Sequence, residues 1–233
     1  MSFLFDITPA ELQAIELSIK VAAYCALIIT IPAIAIAWVL ARKDFVGKSL
    51  LDGLVHIPMI LPPVVPGFLL LTLFGKQGWL GAMLHQYLGI SLAFTWLGAV
   101  LASAIMAFPL MVRSVRLSFS QIDQGLEQAA STLGASPSKT FMSISLPLAL
   151  PGLLTGCILA FSRSLGEFGA TITFVGNIEG ETRTLPLAIY SYTQMPGGEL
   201  IAMRLVILCV LISLLALVAS NLCERWMLKR VGR

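Results

Sequence analysis

Arg163 and Glu167 stand four residues apart inside a stretch that is otherwise nearly all apolar. On a helix that spacing puts both on one face, where guanidinium and carboxylate can pair. Charges at membrane depth are costly, so they face a bundle interior or water. Two roles fit: lining or gating an anion path, or bracing a short span as a structural ion pair. A lone arginine would hold an anion, whereas a neutralised pair would let it pass. Ser162, Ser164, Gly166 and Gly169 add hydroxyls and backbone access beside the pair. Short spans interrupted by glycine or proline point to transport pathways. The segment HIPMILPPVVPGF carries Pro58, Pro62, Pro63 and Pro66, and each proline removes a backbone donor. Such a segment is not a straight lipid-facing helix, and Pro62, Pro63 and Pro66 are pathway-lining or hinge candidates, with a packed kink as the plainer role.

Other chemistry is thin. Gly47-Lys48-Ser49 ends like a phosphate-binding loop, but the position that needs the first glycine is Arg42, which argues against ATP binding. His56 and His85 have no ligand company. Cys25, Cys157, Cys209 and Cys223 stand singly in or beside apolar runs and read as packing residues, with no disulfide framework. No HExxH, paired aspartates or Ser/His set falls in the apolar runs, so no catalytic or metal-binding residue is assigned.

The elements that hold these residues are set by composition. Of 233 residues 58% are hydrophobic and 12% charged, against about 25% charged in soluble domains. Mean hydropathy is +0.91. Several runs reach the roughly 20 residues that cross a bilayer. The expected fold class is an all-α integral membrane protein with five transmembrane helices, at about 17–40, 54–74, 92–112, 148–171 and 200–222. Thr8 and Pro9 are the expected N-cap and first position of the first helix. Residues 1–12 form a lead, 113–147 and 172–199 are the two long connections, and 224–233 a basic tail. The lead carries acids and no basic n-region, which argues against a cleaved signal peptide.

Ten basic residues lie on one side of this arrangement: Arg42, Lys43, Lys48, Arg113, Arg116, Lys139, Arg225, Lys229, Arg230 and Arg233. Three lie on the other, Lys20, Lys76 and Arg183. The basic side is expected to be cytoplasmic, with the N-terminus outside and the C-terminus inside. The net charge of +3 reflects that asymmetry and gives no reason to expect nucleic acid. In the outer connection, 185–192 is too short to span and fits either a re-entrant half-helix or an external amphipathic helix. Arg183 and Thr184, with Glu179 and Glu181, are candidate contacts for an external protein, against the plainer reading of solvated loop charge.

The connection 113–147 contains a polar helical hairpin, EQAASTLGASPSKTFMSISLP. At about 100° per residue, Ile122, Leu126, Ala129 and Leu133 form one stripe, expected to pack on the bundle. Asp123, Glu127, Ala130 and Gly134 form a second, small-sided stripe with two carboxylates, expected to face outward. Gly134 suits a helix end, Ser136-Pro137 a new start, and Pro147 a second end. A solvated loop and a docking surface fit this pattern equally.

Glu127, Ala129-Ala130, Gly134, Ile144 and Leu146-Pro147 resemble the "EAA" loop of binding-protein-dependent ABC importer membrane subunits, with Gln128 in place of one alanine. The stretch FSRSLGEFGAT resembles the oxyanion branch of that family, and GNIEGETRTLPLAIYSYTQMPGGE is similar to molybdate permease subunits. The resemblance runs from about residue 11 to the C-terminus. It implies a type I importer, MetI-like fold in the bacterial inner membrane. It implies that Glu127, Ala129, Ala130, Gly134 and Pro147 belong to a coupling element docked on a cytoplasmic ATPase. The partners implied are a second copy of the chain, two ABC ATPase subunits that bind ATP and Mg, and a periplasmic molybdate-binding protein. The chain itself would carry no cofactor and no enzyme activity, with molybdate as transported substrate. Tungstate, sulfate or thiosulfate are the near alternatives, and a passive anion channel the alternative of another class.

Overall fold

The computed structural model describes residues 7–230, without the side chains of 219–221 and 223–230. The first six residues of the lead, the side chains of Cys223, Arg225, Lys229 and Arg230, and Arg233 therefore lie outside the described part. The described residues are helical, in the order α1 (Pro9–Arg42), α2 (Lys48–Ile60), α3 (Val64–Phe74), α4 (Trp79–Leu88), α5 (Trp96–Gln121), α6 (Gln124–Thr132), α7 (Pro137–Thr140), a π-helical turn (Phe141–Ser145), α8 (Leu146–Leu165), α9 (Gly169–Val175), α10 (Leu185–Thr193) and α11 (Glu199–Arg230).

Among the described residues four helices are long and apolar enough to cross a membrane: α1, α5, the continuous helix Pro137–Leu165, and α11 over Glu199–Val218. A fifth crossing exists only as the pair α2 and α3, bent by 108°. The bend falls at Pro62-Pro63, where one proline cannot donate and the next starts α3 as its N-cap. Leu61 N–H still reaches the Ile57 carbonyl, so α2 closes its last turn before the break. The segment expected as one span over 54–74 is thus two half-helices. The span expected over 148–171 is likewise divided, with α8 ending at Leu165 and α9 starting at Gly169. Between the second and third expected spans lies a further short helix, α4, bounded by Gly78 and by Gly89, which closes it at φ +67°.

The centre is a packing of α1, α5 and α8 through small side chains. Ala33, Ala37, Ala104, Ala107, Ala149 and Ala160 lie in one buried cluster with Met111 and Phe119. A Cβ on Gly156 would come within 3.2 Å of Met111 Cγ. Small residues allow close helix approach, which replaces the hydrophobic drive that lipid cannot supply. Ser114 Oγ donates to the Gly152 carbonyl at 2.8 Å, a polar stitch between α5 and α8.

α1 starts as expected. Thr8 accepts from Glu11 N–H, Glu11 reaches back to Thr8 N–H at 2.6 Å, and Pro9 occupies the first turn. Glu11 does more than cap. Arg204, from α11, donates Nε to its Oε1 at 3.0 Å and Nη2 to its Oε2 at 2.7 Å, and the Glu11 side chain is wholly buried. Next to this pair Ser18 Oγ accepts from Leu185 N–H at 2.6 Å, tying α10 to α1. Leu185 and Ala188 are buried with Ala14 and Leu205. α10 is therefore packed into the bundle end, which the outer amphipathic alternative did not anticipate. Replacing Glu11 by Ala leaves a buried guanidinium without its carboxylate. The expected cost is about 3–5 kcal/mol, read as a fall of the thermal midpoint in detergent. Glu16→Ala, on the exposed side of the same helix, should change it little.

Candidate functional site

The hairpin is held by one carboxylate. Glu127 Oε1 lies 3.1 Å from Arg42 Nη2, at the end of α1, and accepts Ser145 Oγ at 2.7 Å from the π-helical turn. The same Arg42 Nη2 donates to the Ile122 carbonyl at 3.0 Å, where α5 ends. The Arg42 side chain is 7% exposed and that of Glu127 21%. Arg42 thus joins α1, the end of α5 and α6, and Ser145 adds the π-helical turn that leads into α8.

Within α6 and its end this geometry departs from the two stripes expected from periodicity, although Ile122 is buried and Asp123 and Gly134 are exposed as expected. Glu127 and Ala130 are the less exposed positions of α6, whereas Leu126 is 48% and Leu133 88% exposed. A 3.6-residue period defines two faces without saying which is inside. Here the carboxylate finds a guanidinium on the bundle and turns inward, so the leucines turn out. Asp123 is exposed, as expected, but its carboxylate is engaged locally. It is the N-cap of α6, accepting Gly125 N–H at 2.8 Å. Ala129 is exposed beside Leu126 and Leu133.

The hairpin's turn follows its residues. Gly134 takes φ +82°, a left-handed conformation that costs a residue with a Cβ about 1–2 kcal/mol. Ser136 caps α7 by accepting Lys139 N–H, with Pro137 in the first turn. Pro147 does not end the second helix. The π-helical turn at Phe141–Ser145 widens the spiral just before it, so the missing N–H and the ring are accommodated and the helix runs on to Leu165. Phe141 packs edge-on against Trp38, with ring centres 5.8 Å apart.

The second candidate cluster forms where α8 stops. Arg163 Nη1 lies 2.7 Å from Glu167 Oε2, and the Glu167 side chain is 1% exposed. Glu167 Oε1 also accepts Ala170 N–H at 2.8 Å, capping α9 from the break. The pair therefore does not lie along one helix face; it bridges a gap in the helix. Ser164 is buried, Ser162 half-buried and Gly166 exposed at the break. The proline segment comes to the same place. A Cβ on Gly169 would fall 2.7 Å from Pro63 Cβ, and one on Gly67 2.7 Å from the Ala170 carbonyl oxygen. Pro62 and Pro63 are exposed and Pro66 is buried. Two broken elements, α2–α3 and α8–α9, thus cross at their breaks. Phe168 stacks obliquely on Tyr190 of α10 at 5.2 Å, linking the break to the far end of the bundle.

In the outer connection Arg183 Nη1 pairs with Glu179 at 2.6 Å and Nε donates to Asn177 at 3.0 Å. Thr184 is buried as the N-cap position of α10, so packing removes it from the surface on which a protein contact was expected. Glu181 accepts Trp96 N–H at 3.4 Å, at the start of α5. Gly47 opens α2 at φ +96°, and Lys48 is held by Asp44 at 2.8 Å. Asp52 pairs with Arg116 at 2.8 Å and meets His56 Nδ1 at 3.3 Å, bracing α2 on α5. Among the described residues no three His, Cys, Asp or Glu side chains converge as a metal site.

Sequence reasoning missed Arg42, Ser145, Glu11 and Arg204. Arg42 looks like its neighbours Lys43 and Lys48, a positive charge flanking a span. Glu11 and Arg204 carried a weak signal, an acid and a base each a few residues into a long apolar helix.

The long helices, the bent pair and the hairpin on one end define a multi-pass membrane permease of the type I importer fold. The profile described as "Binding-protein-dependent transport system inner membrane component" matches residues 33–233, and the chain belongs to that family. It is 53% identical over 223 residues to the molybdenum transport system permease protein ModB of Haemophilus influenzae, covering 96% of this chain and 97% of that one. It is 51% identical over 227 residues to ModB of Escherichia coli, covering 97% and 99%. Among solved structures, a chain of a bacterial ABC transporter involved in import of the acidic polysaccharide alginate superposes with TM-score 0.76 at 16% identity, covering 97% of this chain and 82% of that one.

Arg163→Ala strands Glu167 in a buried site. The expected loss is about 3 kcal/mol, the lower end for a broken buried pair because Arg163 is partly exposed. The double change Arg163→Ala/Glu167→Gln should regain most of the thermal midpoint while substrate uptake stays reduced. Uptake at the parent level in the double variant would leave the pair as a brace only.

Proposed function

We propose that this chain is the membrane-spanning permease subunit of an ATP-driven importer that moves molybdate across the bacterial inner membrane by alternating access. The observation that carries this reading is the hairpin, pinned to the bundle through Glu127 while Leu126 and Leu133 point away from it. A short helix with apolar side chains outward and a charged anchor behind it suits an apolar groove on a soluble partner. The names of the relatives at 51–53% identity support molybdate as the substrate.

In this reading two copies of the chain enclose the path. Two cytoplasmic ABC ATPase subunits bind ATP and Mg and receive the hairpins, with Ala129 and Gly134 on the docked side. A periplasmic molybdate-binding protein delivers the anion at the opposite end, with Arg183 on its approach. The N-terminus faces the periplasm and the C-terminus the cytoplasm, as the uneven distribution of basic residues favours. Approach of the ATPase subunits displaces the hairpins. The uninterrupted helix Pro137–Leu165 transmits that displacement to the break at 166–168. There Arg163 is neutralised by Glu167, so an anion passing the break meets a donor group without a net positive trap. The chain contributes the path and the hinge, and hydrolysis takes place in its partners.

Vesicles containing this chain, the ATPase subunits and the binding protein should accumulate radiolabelled molybdate above the outside concentration only when ATP is present. Omitting the binding protein should abolish accumulation. Equilibration without ATP would identify a passive channel instead. Excess tungstate or sulfate as competitor reads out the anion preference.

A further inference from the structure

Resting on the importer reading, we infer that Arg42 is the positioning residue through which hairpin movement enters the bundle, and that Glu127 serves this internal clasp rather than the partner interface. The argument begins with the geometry. One guanidinium nitrogen, Arg42 Nη2, serves the Ile122 carbonyl at 3.0 Å and Glu127 Oε1 at 3.1 Å. The same carboxylate oxygen accepts Ser145 Oγ at 2.7 Å. Four elements therefore meet at two atoms: the end of α1, the end of α5, the middle of α6 and the π-helical turn that precedes α8.

Other connections between α6 and the bundle are weak. α6 has no buried residue, and its remaining hydrogen bonds are local: Asp123 caps it, Ser131 returns to the Glu127 carbonyl and Thr132 to the Ala129 carbonyl. Charge-assisted bonds are about twice as strong as neutral ones and fix direction as well as distance. A push on the exposed leucines must then pass through Glu127 or be dissipated in the loops. Through Arg42 it reaches α1, which runs for 34 residues to the second buried pair, Glu11–Arg204. Through Ser145 it reaches the helix that ends at Arg163. The clasp is half-buried, so its two charges are little screened while its surroundings leave room for displacement.

The alternative is that Glu127 reaches outward to a basic residue of the ATPase subunit and Arg42 is an ordinary flanking charge. A cycle of neutral replacements separates the two. The complex is reconstituted with Arg42→Gln, Glu127→Gln and both changes together. The quantity read is anion transported per ATP hydrolysed, alongside the amount of ATPase subunit retained on purification. If the clasp transmits movement, each single change should lower the transport ratio about tenfold and the double change no further, because both remove one interaction. Arg42→Lys should recover part of the ratio, and Ser145→Ala should lower it only about twofold to threefold, which keeps the test open if a charge replacement folds poorly.

Losses that multiply in the double variant would overturn the inference. So would an Arg42→Gln complex with the parent ratio, or loss of ATPase subunit with Glu127→Gln but not with Arg42→Gln. A parent complex that neither assembles nor couples ATP to uptake would instead remove the importer reading itself.

Discussion

A charge inside an apolar bundle must bring its counter-charge with it, and this chain meets that demand at three levels. Glu11 and Arg204 close one end, Arg163 and Glu167 bridge the break between α8 and α9, and Arg42 and Glu127 hold the hairpin at the other end. Each of the two outer pairs has one member on α1, and at 1.5 Å per residue Glu11 and Arg42 are about 45 Å apart along it. That exceeds the roughly 30 Å of bilayer hydrocarbon, so both pairs fall near the interfaces. α1 acts as the strut to which both ends are fastened, and its alanine-lined face packs on α5 and α8 between them.

Broken helices are the second consequence of an apolar solvent. Lipid offers no hydrogen bond to a freed backbone group, so irregular chain survives only where protein satisfies it. Both breaks obey this. At Pro62-Pro63 the missing donors belong to proline, and Leu61 still bonds within α2. At 166–168 the Glu167 carboxylate caps α9. The breaks are placed against each other, with Gly67 and Gly169 allowing backbone approach that a larger residue would prevent. In the proposed importer this pair of crossed discontinuities would serve as the hinge, since each can change angle without unravelling a regular turn.

The hairpin shows how far a pattern can be read and where it stops. Gly134 as a left-handed helix end and Ser136-Pro137 as a helix start are local matters, decided by a missing Cβ and a preset φ, and both are found as expected. Pro147 as a helix end failed because a π-helical turn removes the clash that a regular α-helix would suffer. The inward face was assigned by apolarity, which holds for Ile122 but fails for Leu126 and Leu133. Apolarity is a poor guide at a bundle's end, where the Arg42–Glu127 ion pair is made and Leu126 and Leu133 are left exposed.

By itself the sequence determined what depends on neighbours a few residues away or on bulk composition. These are the all-helical membrane class, the five apolar segments, the caps at Thr8 and Ser136, the turn at Gly134, and the irregularity of the proline segment. The i, i+4 spacing also announced the Arg163–Glu167 contact. Tertiary structure alone decided which charges are structural. Arg42 and Lys43 are adjacent and chemically alike in sequence, yet one forms a half-buried clasp and the other is exposed. Glu11 and Arg204 lie 193 residues apart. Pairing over such distances is fixed by how helices pack, because packing sets which side chains share a low-dielectric space, and no local spacing encodes that.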